Sequence, residues 1–539
     1  MRLTAAVTRL CVEKVSRKRE GLFSVPRRGR ARRQLVVSAL VGLLAMGCTA
    51  GPSTRPAVLE NDGGPAPSTT TETSRDVPLP DLAEPQESSL EWQECDPQLL
   101  QGLERGDDAP SVSCTRVMTP LDAPGLPGLG LTRIALTKVG DGSIPLVVLN
   151  DIGGEPGTRY AVRLAETLPD EILATFTLIG VDRRGTGSSE PVQCIPAEER
   201  GTLLGHDPTT TVDPLLDAAR TAGQQCALNL EDVQTAFDSW RTAGDLDELR
   251  ARLGVPRLNI LAHGEGSTPA AYYAARFPQR TGRVVLDGVP DPSTDVATEL
   301  GDVAAAAEAT LDQFAADCTD RGCPLGEDVR AAVTSLADDA RASPLTVGEH
   351  RMSSALVLRA VLAGLAQRDR WPELADAIAA ARKGDGEALF GFVEPWLADT
   401  DRWKARVDGV LVTHCNDTEA RLPSDRLREV SRRLGSEHLV FGAVVAQQLA
   451  WCSPWPNRQE ETPEIGSPDA PPILVLSTAT DPITPEKGTI HAVEQIPGAV
   501  RVAWQGAGHG ALGSGCVADE VTKFLVDGVV PQDGTLCPA

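Results

Sequence analysis

The sequence is organised around residues 258–267, which read Leu258-Asn259-Ile260-Leu261-Ala262-His263-Gly264-Glu265-Gly266-Ser267. The apolar start predicts a buried strand, the glycines predict a sharp turn, and residues 268–277 predict a helix. A second apolar strand follows at residues 284–286. This order is the setting of the G-x-S-x-G nucleophile elbow, in which a serine occupies the tip of a strained turn. Here the tip residue is Gly264, which has no attacking hydroxyl.

Strand and helix patterns alternate on both sides of this turn. Strands are predicted at residues 131–139, 144–149, 175–181, 473–476 and 501–504, and helices at residues 160–168, 242–253 and 486–495. This rhythm indicates a doubly wound, mostly parallel α/β sheet. Strand signals nearly vanish between residues 291 and 467, where amphipathic helices are predicted at 296–318, 328–342, 353–366, 373–382 and 439–451. We therefore predict a core at residues 90–290 and 468–539, with a helical cap inserted at residues 291–467.

The N-terminal segment differs from the rest of the chain in charge. Residues 1–47 carry a net charge of +9, whereas the whole chain is −24 and the remainder is therefore −33. So acidic a body argues against nucleic-acid binding. A cluster of arginines at residues 27–33 precedes an apolar run at residues 35–46, which is too short for a stable membrane span. This pattern predicts an export signal at residues 1–47.

The segment after the signal predicts where the protein resides. Leu44-Ala45-Met46-Gly47-Cys48 resembles a lipobox, so a lipid on Cys48 is expected to hold the protein at the extracellular face of the cell membrane. An ordinary secretion signal, with Cys48 incidental, is the alternative. Residues 48–89 are rich in Pro, Ser, Thr, Gly and acidic residues, which predicts a disordered tether. The membrane is expected to be contacted only through this anchor.

Ten cysteines follow Cys48, an even number that predicts disulfide bonds in an exported chain. They are Cys95, Cys114, Cys194, Cys226, Cys318, Cys323, Cys415, Cys452, Cys516 and Cys537. A metal site is the rival interpretation, but no C-x-x-C or paired-histidine spacing supports it. The glycine-rich turns also lack the Lys-Ser/Thr of a phosphate loop. Neither a metal nor a cofactor is predicted.

Two further residues carry chemistry. Asp481 follows the strand predicted at 473–476, and His509 follows the strand predicted at 501–504. The loops beyond the carboxyl ends of parallel strands line one crevice, so both side chains are expected to face it. In a catalytic triad such an aspartate orients the histidine, which acts as base and then as acid. His263, beside the turn, is interpreted as a buried imidazole with satisfied hydrogen bonds.

These motifs together resemble the exported tripeptidyl aminopeptidase-like branch of the α/β-hydrolases. The specific parts are residues 180–189, 273–278, 285–289 and 320–325, and the stretches around Asp481 and His509. The resemblance implies an α/β-hydrolase fold and a serine exopeptidase that releases short peptides beneath a cap. It also implies the disulfide pairs Cys95–Cys114, Cys194–Cys226, Cys318–Cys323, Cys415–Cys452 and Cys516–Cys537.

The departures from this family fall in the catalytic motifs. Counting back from residues 274–278 aligns the family's serine with Gly264 and its following tyrosine with Glu265. The oxyanion loop, residues 150–157 with Gly153 and Gly154, has altered spacing and gains carboxylates such as Asp151. Negative charge there opposes the transition state that backbone N–H groups should stabilise.

Two classes of function follow from these departures. The leading hypothesis is a monomeric binding protein that holds a peptide or another small acyl-bearing ligand in the capped crevice without cleaving it. The alternative is an active peptidase or esterase that uses Ser267 as a substitute nucleophile, or a water activated by Glu265 or Asp151 together with His509. Ser267 lies one helical turn beyond the tip, and a misplacement of even 1 Å can cost about 100-fold in rate.

Overall fold

A nine-stranded sheet forms the centre of the fold in the computed structural model, which describes residues 77–103, 105–106, 109–123, 127–128, 130–292, 295–400, 403–456 and 463–539. Its strands are β1 Val112–Pro120, β2 Leu131–Val139, β3 Ile144–Leu149, β4 Phe176–Val181, β5 Leu258–His263, β6 Thr281–Asp287, β9 Ile473–Thr480, β10 Ala499–Ala507 and β11 Thr535–Cys537. Their spatial order is β1-β2-β4-β3-β5-β6-β9-β10-β11. A separate hairpin pairs β7 Leu345–Val347 with β8 His350–Met352.

Helices lie between and around these strands. In chain order they are α1 Pro97–Leu100, α2 Gly157–Leu164, α3 Asp170–Thr175, α4 Ala197–Gly205, α5 Asp213–Leu230, α6 Ser239–Leu253, α7 Ser267–Arg276, α8 Val296–Arg321, α9 Val329–Ala342, α10 Ser354–Ala366, α11 Trp371–Ala381, α12 Glu387–Phe390, α13 Glu394–Leu397, α14 Arg406–Asp417, α15 Ser424–Glu437, α16 Gly442–Ala446, α17 Gln448–Trp451, α18 Glu486–Gln495 and α19 Gly515–Thr522.

The strand pairings follow from the burial of the central strands. All residues of β3, β4 and β6 are buried, as expected for strands covered by helices on both faces. β3 pairs in parallel with both β4 and β5, and β5, β6, β9, β10 and β11 continue the parallel order. Only the β1–β2 and β2–β4 pairings of this sheet are antiparallel among the described residues. The predicted doubly wound, mostly parallel sheet is therefore confirmed.

The helical layer over the sheet includes helices that precede residue 291, where the predicted cap begins. α4 and α5, which lie within the predicted core segment 90–290, share one apolar cluster with α8, α10, α14 and α15. The reason is that their apolar faces, which include Leu203, Leu204 and Leu215, pack against the inserted helices. The cap is therefore built from two separate stretches of chain.

The end of the predicted tether is ordered. Leu79 and Leu82 pack against the core, and the backbone N–H groups of Gln86 and Ser89 donate to the carbonyls of Gly254 and Arg252, at 3.1 and 2.9 Å. The prediction of disorder for residues 48–89 is therefore wrong for residues 77–89, because this segment gains hydrogen-bond partners beside α6. The export signal, Cys48 and residues 48–76 lie outside the described residues.

Disulfide bonds join cysteines that are between 5 and 37 residues apart in the sequence. The five disulfide bonds are Cys95–Cys114, Cys194–Cys226, Cys318–Cys323, Cys415–Cys452 and Cys516–Cys537. These are the pairs that the resemblance implied. Within the ranges that the structure describes, no helix is long and apolar enough to cross a bilayer.

A buried carboxylate joins the two stretches of the cap. Asp408 on α14 accepts hydrogen bonds from the backbone N–H groups of Cys194 and Ile195, at 2.7 and 2.8 Å, and from Nε of Arg200 at 2.7 Å. The Asp408 side chain is fully buried. One group from the inserted helices therefore satisfies three donors that precede α5.

Replacing Asp408 by alanine should destabilise the protein strongly. The change leaves Arg200 buried beside Asp399 alone and leaves two backbone N–H groups without their acceptor, which costs about 3–5 kcal/mol in systems of this kind. Urea unfolding followed by circular dichroism measures the loss. Asp425→Ala, at an exposed position of α15, is the control and should change the unfolding free energy by less than about 0.5 kcal/mol. Equal midpoints for the two variants would contradict this role for Asp408.

Candidate active site

The carboxyl ends of five parallel strands bring the predicted residues to one edge of the sheet. Asp151 follows β3, Gly264 follows β5, Gly288 follows β6, Asp481 follows β9 and His509 follows β10. Loops at this edge of an open α/β sheet line a common crevice, which is the expected ligand site. The structure therefore brings together Gly264, Asp481 and His509, as the sequence predicted.

Asp481 and His509 form a hydrogen-bonded pair. His509 Nδ1 lies 2.9 Å from Oδ2 and 3.0 Å from Oδ1 of Asp481. Asp481 is buried and also accepts the backbone N–H groups of Ile483, Thr484 and Gly510, at 2.8 to 3.0 Å. Burial alone would raise the pKa of Asp481, but the adjacent imidazole and these donors hold it below its usual value. The carboxylate therefore fixes both the orientation of His509 and the path of its loop.

Gly264 lies at the tip of the turn, opposite the other ring nitrogen of His509. Its φ of +56° is in the left-handed region, and it begins the short 3₁₀ turn Gly264–Gly266 that leads into α7. A Cβ at this position would overlap the Asp151 carboxylate and would lie 2.6 Å from His509 Nε2. The space into which a side chain at residue 264 would project is therefore filled by Asp151.

The Asp151 carboxylate makes the two contacts that the nucleophile hydroxyl and the substrate oxyanion make in a serine hydrolase. Its Oδ2 lies 2.9 Å from His509 Nε2, where a nucleophile hydroxyl would sit. Its Oδ1 accepts the backbone N–H of Glu265 at 2.7 Å, and the N–H after the nucleophile is a donor of the oxyanion hole. A side chain of the protein itself, Asp151, therefore occupies the positions of both the nucleophile hydroxyl and the oxyanion.

The charges of this cluster reinforce one another. Burial alone would raise the pKa of Asp151, but His509 and His263 hold it well below its usual range. Burial alone would lower the pKa of His509, but Asp481 and Asp151 raise it well above its ordinary value. Two carboxylates flank the ring of His509, so the protonated imidazole stabilises both carboxylates and both carboxylates stabilise the protonated imidazole.

The remaining loop residues also turn inward. Glu265 accepts the backbone N–H of Ile152, which belongs to the loop that supplies the second oxyanion donor in this class of site. Burial and the charge of Asp151 raise the pKa of Glu265. Gly153 packs against the ring of Trp396 on α13, and the Gly154 N–H donates to the carbonyl of Asp151 at 3.0 Å. Both glycines thus shape the loop beneath the cap.

Ser267 is not placed to attack a ligand. Its side chain is fully buried, and its Oγ donates to the carbonyl of Gly288 at 2.6 Å. The sequence suggested it as a substitute nucleophile, but the hydroxyl instead links the start of α7 to the residue after β6. The structure does not bring Ser267 to His509, because the first turn of α7 directs its side chain toward the neighbouring strand.

A second histidine and its carboxylate were missed as members of the site. His263 Nδ1 lies 3.2 Å from Asp287 Oδ2, and its Nε2 lies 3.8 Å from Asp151 Oδ2. The rings of His263 and His509 are 4.3 Å apart between centroids. The ligand atoms of Asp151, His263 and His509 all lie within 4.8 Å of one another, a grouping that could hold a metal ion. The adjacency of His263 to the turn was the available signal.

A cavity of about 1990 Å³ separates this edge of the sheet from the cap. Charged side chains of both signs line it, including Arg359 and Arg406, whose pKa values burial lowers to about 10. Glu299 on α8 is half-buried in the cavity wall. Its burial, with the charges of Asp291 and Glu265, raises its pKa to about 8. The cavity is large enough for a peptide-sized ligand.

The order of the strands, the turn after β5 and the Asp–His pair after β9 and β10 define an α/β-hydrolase fold. Within it, residues 437–537 match a family model described as "TAP-like protein". The resemblance to the tripeptidyl aminopeptidase-like α/β-hydrolases predicted from the sequence is therefore confirmed.

Similar proteins include a serine protease and a tripeptidyl aminopeptidase. The chain is 26% identical over 454 residues to serine protease Hip1 of Mycobacterium tuberculosis (strain ATCC 25618 / H37Rv), covering 79% of this chain and 87% of that protein. It is 25% identical over 462 residues to tripeptidyl aminopeptidase of Streptomyces lividans, covering 79% and 83%. Among solved structures, an alpha/beta hydrolase fold protein from Chitinophaga pinensis covers 78% of this chain and 99% of its own, at 14% identity and a TM-score of 0.33.

Glu299 should give the protein a measurable loss of stability at alkaline pH. A glutamate titrates near 4.3 when unfolded, whereas the pKa of folded Glu299 is about 8. The folded state therefore holds a proton that the unfolded state releases, so the contribution of Glu299 to stability falls as pH rises from about 4.3 to 8. Glu299→Gln should raise the melting temperature relative to the parent at pH 9 and leave it nearly unchanged at pH 4.5. Glu494 is exposed on α18, and Glu494→Gln is the control. It should leave the melting temperature nearly unchanged at both pH values.

Proposed function

We propose that this protein is an exported α/β-hydrolase-family binding protein, monomeric, which holds a peptide or another small acyl-bearing ligand in its capped crevice without serine-type acyl transfer. One observation carries the proposal: the Asp151 carboxylate fills the space between Gly264, His509 and the Glu265 N–H. A nucleophile oxygen and a substrate oxygen would both need that space.

The missing hydroxyl alone would not abolish all catalysis. Loss of one triad member typically leaves a residual acceleration of about 10³–10⁴-fold over water, which comes from binding and the oxyanion hole. Here the oxyanion donor of Glu265 is already occupied by a carboxylate, and negative charge at that position opposes a developing oxyanion. The two changes act on separate contributions to the same transition state, so together they favour binding over turnover.

The cavity supports a ligand of peptide size. It lies directly above the cluster, and the similarity to a tripeptidyl aminopeptidase and to a serine protease favours a peptide or an acyl compound as the occupant. Arg406 Nη1 donates to the carbonyl of Gly153 at 3.4 Å, which joins the cap to the loop that carries Asp151. Contacts from both layers would then hold the ligand.

A fluorophosphonate probe tests whether serine-type transfer is absent. The purified wild-type protein should not be labelled, because residue 264 lacks an oxygen. Gly264→Ser should also remain unlabelled, because its Cβ overlaps Asp151. The double variant Asp151→Gly/Gly264→Ser should be labelled, and adding His509→Ala should remove that labelling. Covalent labelling of the wild type at any serine of the crevice would overturn the proposal.

Binding without cleavage has its own measurement. The wild type is incubated with a defined set of short peptides, separated from unbound peptide, and analysed by mass spectrometry; the retained peptides should be intact. Ala363→Trp fills the cavity with an indole and should retain none. Cleaved peptides that disappear in His509→Ala would contradict the proposal.

The lipid anchor is a separate part of the proposal. Residues 35–48 carry the apolar run and the lipobox-like cysteine from which export and anchoring were expected. Cys48→Ala should move the protein from the membrane fraction to the medium, because a lipid chain on Cys48 is the proposed membrane contact. Cys11→Ala is the control and should leave the protein with the membrane. An unchanged distribution of Cys48→Ala would refute the anchor.

A further inference from the structure

The cluster at the sheet edge contains one more histidine than a triad requires. A serine-type triad uses one imidazole, yet His263 and His509 both direct Nε2 toward Asp151, at 3.8 and 2.9 Å from its Oδ2. In a tetrahedral zinc site with bonds of about 2.0–2.1 Å, neighbouring ligand atoms lie roughly 3.3 Å apart. The two measured separations lie on either side of that value.

Each histidine is held from behind by a carboxylate. His263 Nδ1 contacts Asp287, and His509 Nδ1 contacts Asp481. Both aspartates are themselves fixed, because Asp287 accepts the backbone N–H of Ala511 at 2.6 Å and Asp481 accepts three backbone N–H groups. Histidines that bind metals almost always make this outer contact, which sets the tautomer and leaves Nε2 free to coordinate. The same arrangement occurs twice around one point.

Asp151 is suited to be the third ligand. Its Oδ1 is held by the N–H of Glu265, which leaves Oδ2 facing both imidazoles. Three carboxylates, Asp151, Asp287 and Asp481, surround two rings, so a dication would offset two of their three negative charges. A set of two imidazoles and one carboxylate is one of the usual ligand sets for Zn²⁺ when one position is left open.

We infer that Asp151, His263 and His509 form a binding site for a divalent transition-metal ion, with Zn²⁺ as the best fit to the ligands. Three protein ligands leave one tetrahedral position open toward the cavity, where an oxygen of a bound acyl group or carboxylate would coordinate. The site stands independently of the proposed function, because it rests on the ligand atoms and their outer carboxylates alone. No motif in the sequence revealed it, because the three ligands lie at or just beyond the ends of three different strands.

Titration of the metal-free full chain with Zn²⁺ tests the site. Isothermal titration calorimetry should show one ion per chain, and Co²⁺ should give the visible absorption of a four-coordinate centre. Asp151→Asn and His263→Gln each remove one ligand. Asparagine keeps nearly the size of aspartate, and glutamine keeps the polarity of histidine. Each variant should weaken the affinity for Zn²⁺ at least 100-fold. Asp287→Asn removes only an outer contact and should weaken it about 10–100-fold.

The chain offers a matched control. His491 and Asp291 form another histidine–carboxylate pair, with His491 Nδ1 at 2.9 Å from Asp291 Oδ2, outside the cluster. His491→Ala should leave the affinity and the stoichiometry unchanged. Circular dichroism and the melting temperature in the absence of metal show whether each variant is folded, and Zn²⁺ should raise the melting temperature of the wild type but not that of Asp151→Asn.

The outcomes are decisive in both directions. A single ion lost with Asp151 or His263 but not with His491 supports the site. The inference is overturned if Zn²⁺ does not bind stoichiometrically, or if binding survives both Asp151→Asn and His263→Gln. The cluster would then be only an ion pair between Asp151 and His509. The titration uses no peptide and the fluorophosphonate measurement uses no metal, so the failure of either proposal is recognised separately.

Discussion

The contact between Asp151 and His509 is the constraint on which the rest of the site depends. It joins the loop after β3 to the loop after β10 and places a carboxylate against the bare backbone of Gly264. A side chain at residue 264 and this position of Asp151 exclude each other, because the Cβ would overlap the carboxylate. Gly264 and Asp151 are more than one hundred residues apart in the sequence. The observed position of the Asp151 carboxylate nevertheless requires a glycine at residue 264.

Buried charge of this density is tolerated only because every member has a partner. An isolated carboxylate would be costly away from water, whereas paired and hydrogen-bonded carboxylates offset that cost. Asp481 accepts three backbone N–H groups and Asp287 accepts one, and each also contacts a histidine. The pairs therefore hold the loops at the sheet edge together, whether or not the site performs chemistry.

Much of the fold could be predicted from the sequence, and the missing parts have physical causes. Continuous apolar runs identified β3 and the strands around the turn, because strands buried on both faces have no polar alternation. β1 was not predicted because most of its residues are half-buried or exposed, and because polar Thr119 is buried while its apolar neighbour Met118 is exposed. No sequence pattern assigns α4 and α5 to the cap, because the surface that their apolar residues contact is decided by tertiary packing. The pairing of His263 with Asp287 depends on the register of β5 against β6, in which the two residues are neighbours.

The presence of Asp481 and His509 is therefore weaker evidence for catalysis than the motif suggests. In a working triad the aspartate matters because it orients an imidazole whose other nitrogen faces a hydroxyl. Here that nitrogen faces a carboxylate, and the same aspartate also fixes three backbone N–H groups, so its structural role alone accounts for its environment. A retained framework and a working site therefore differ in the group that contacts Nε2 of His509. A hydroxyl there would make His509 a base, whereas the Asp151 carboxylate pairs with this nitrogen and leaves it no hydroxyl to deprotonate.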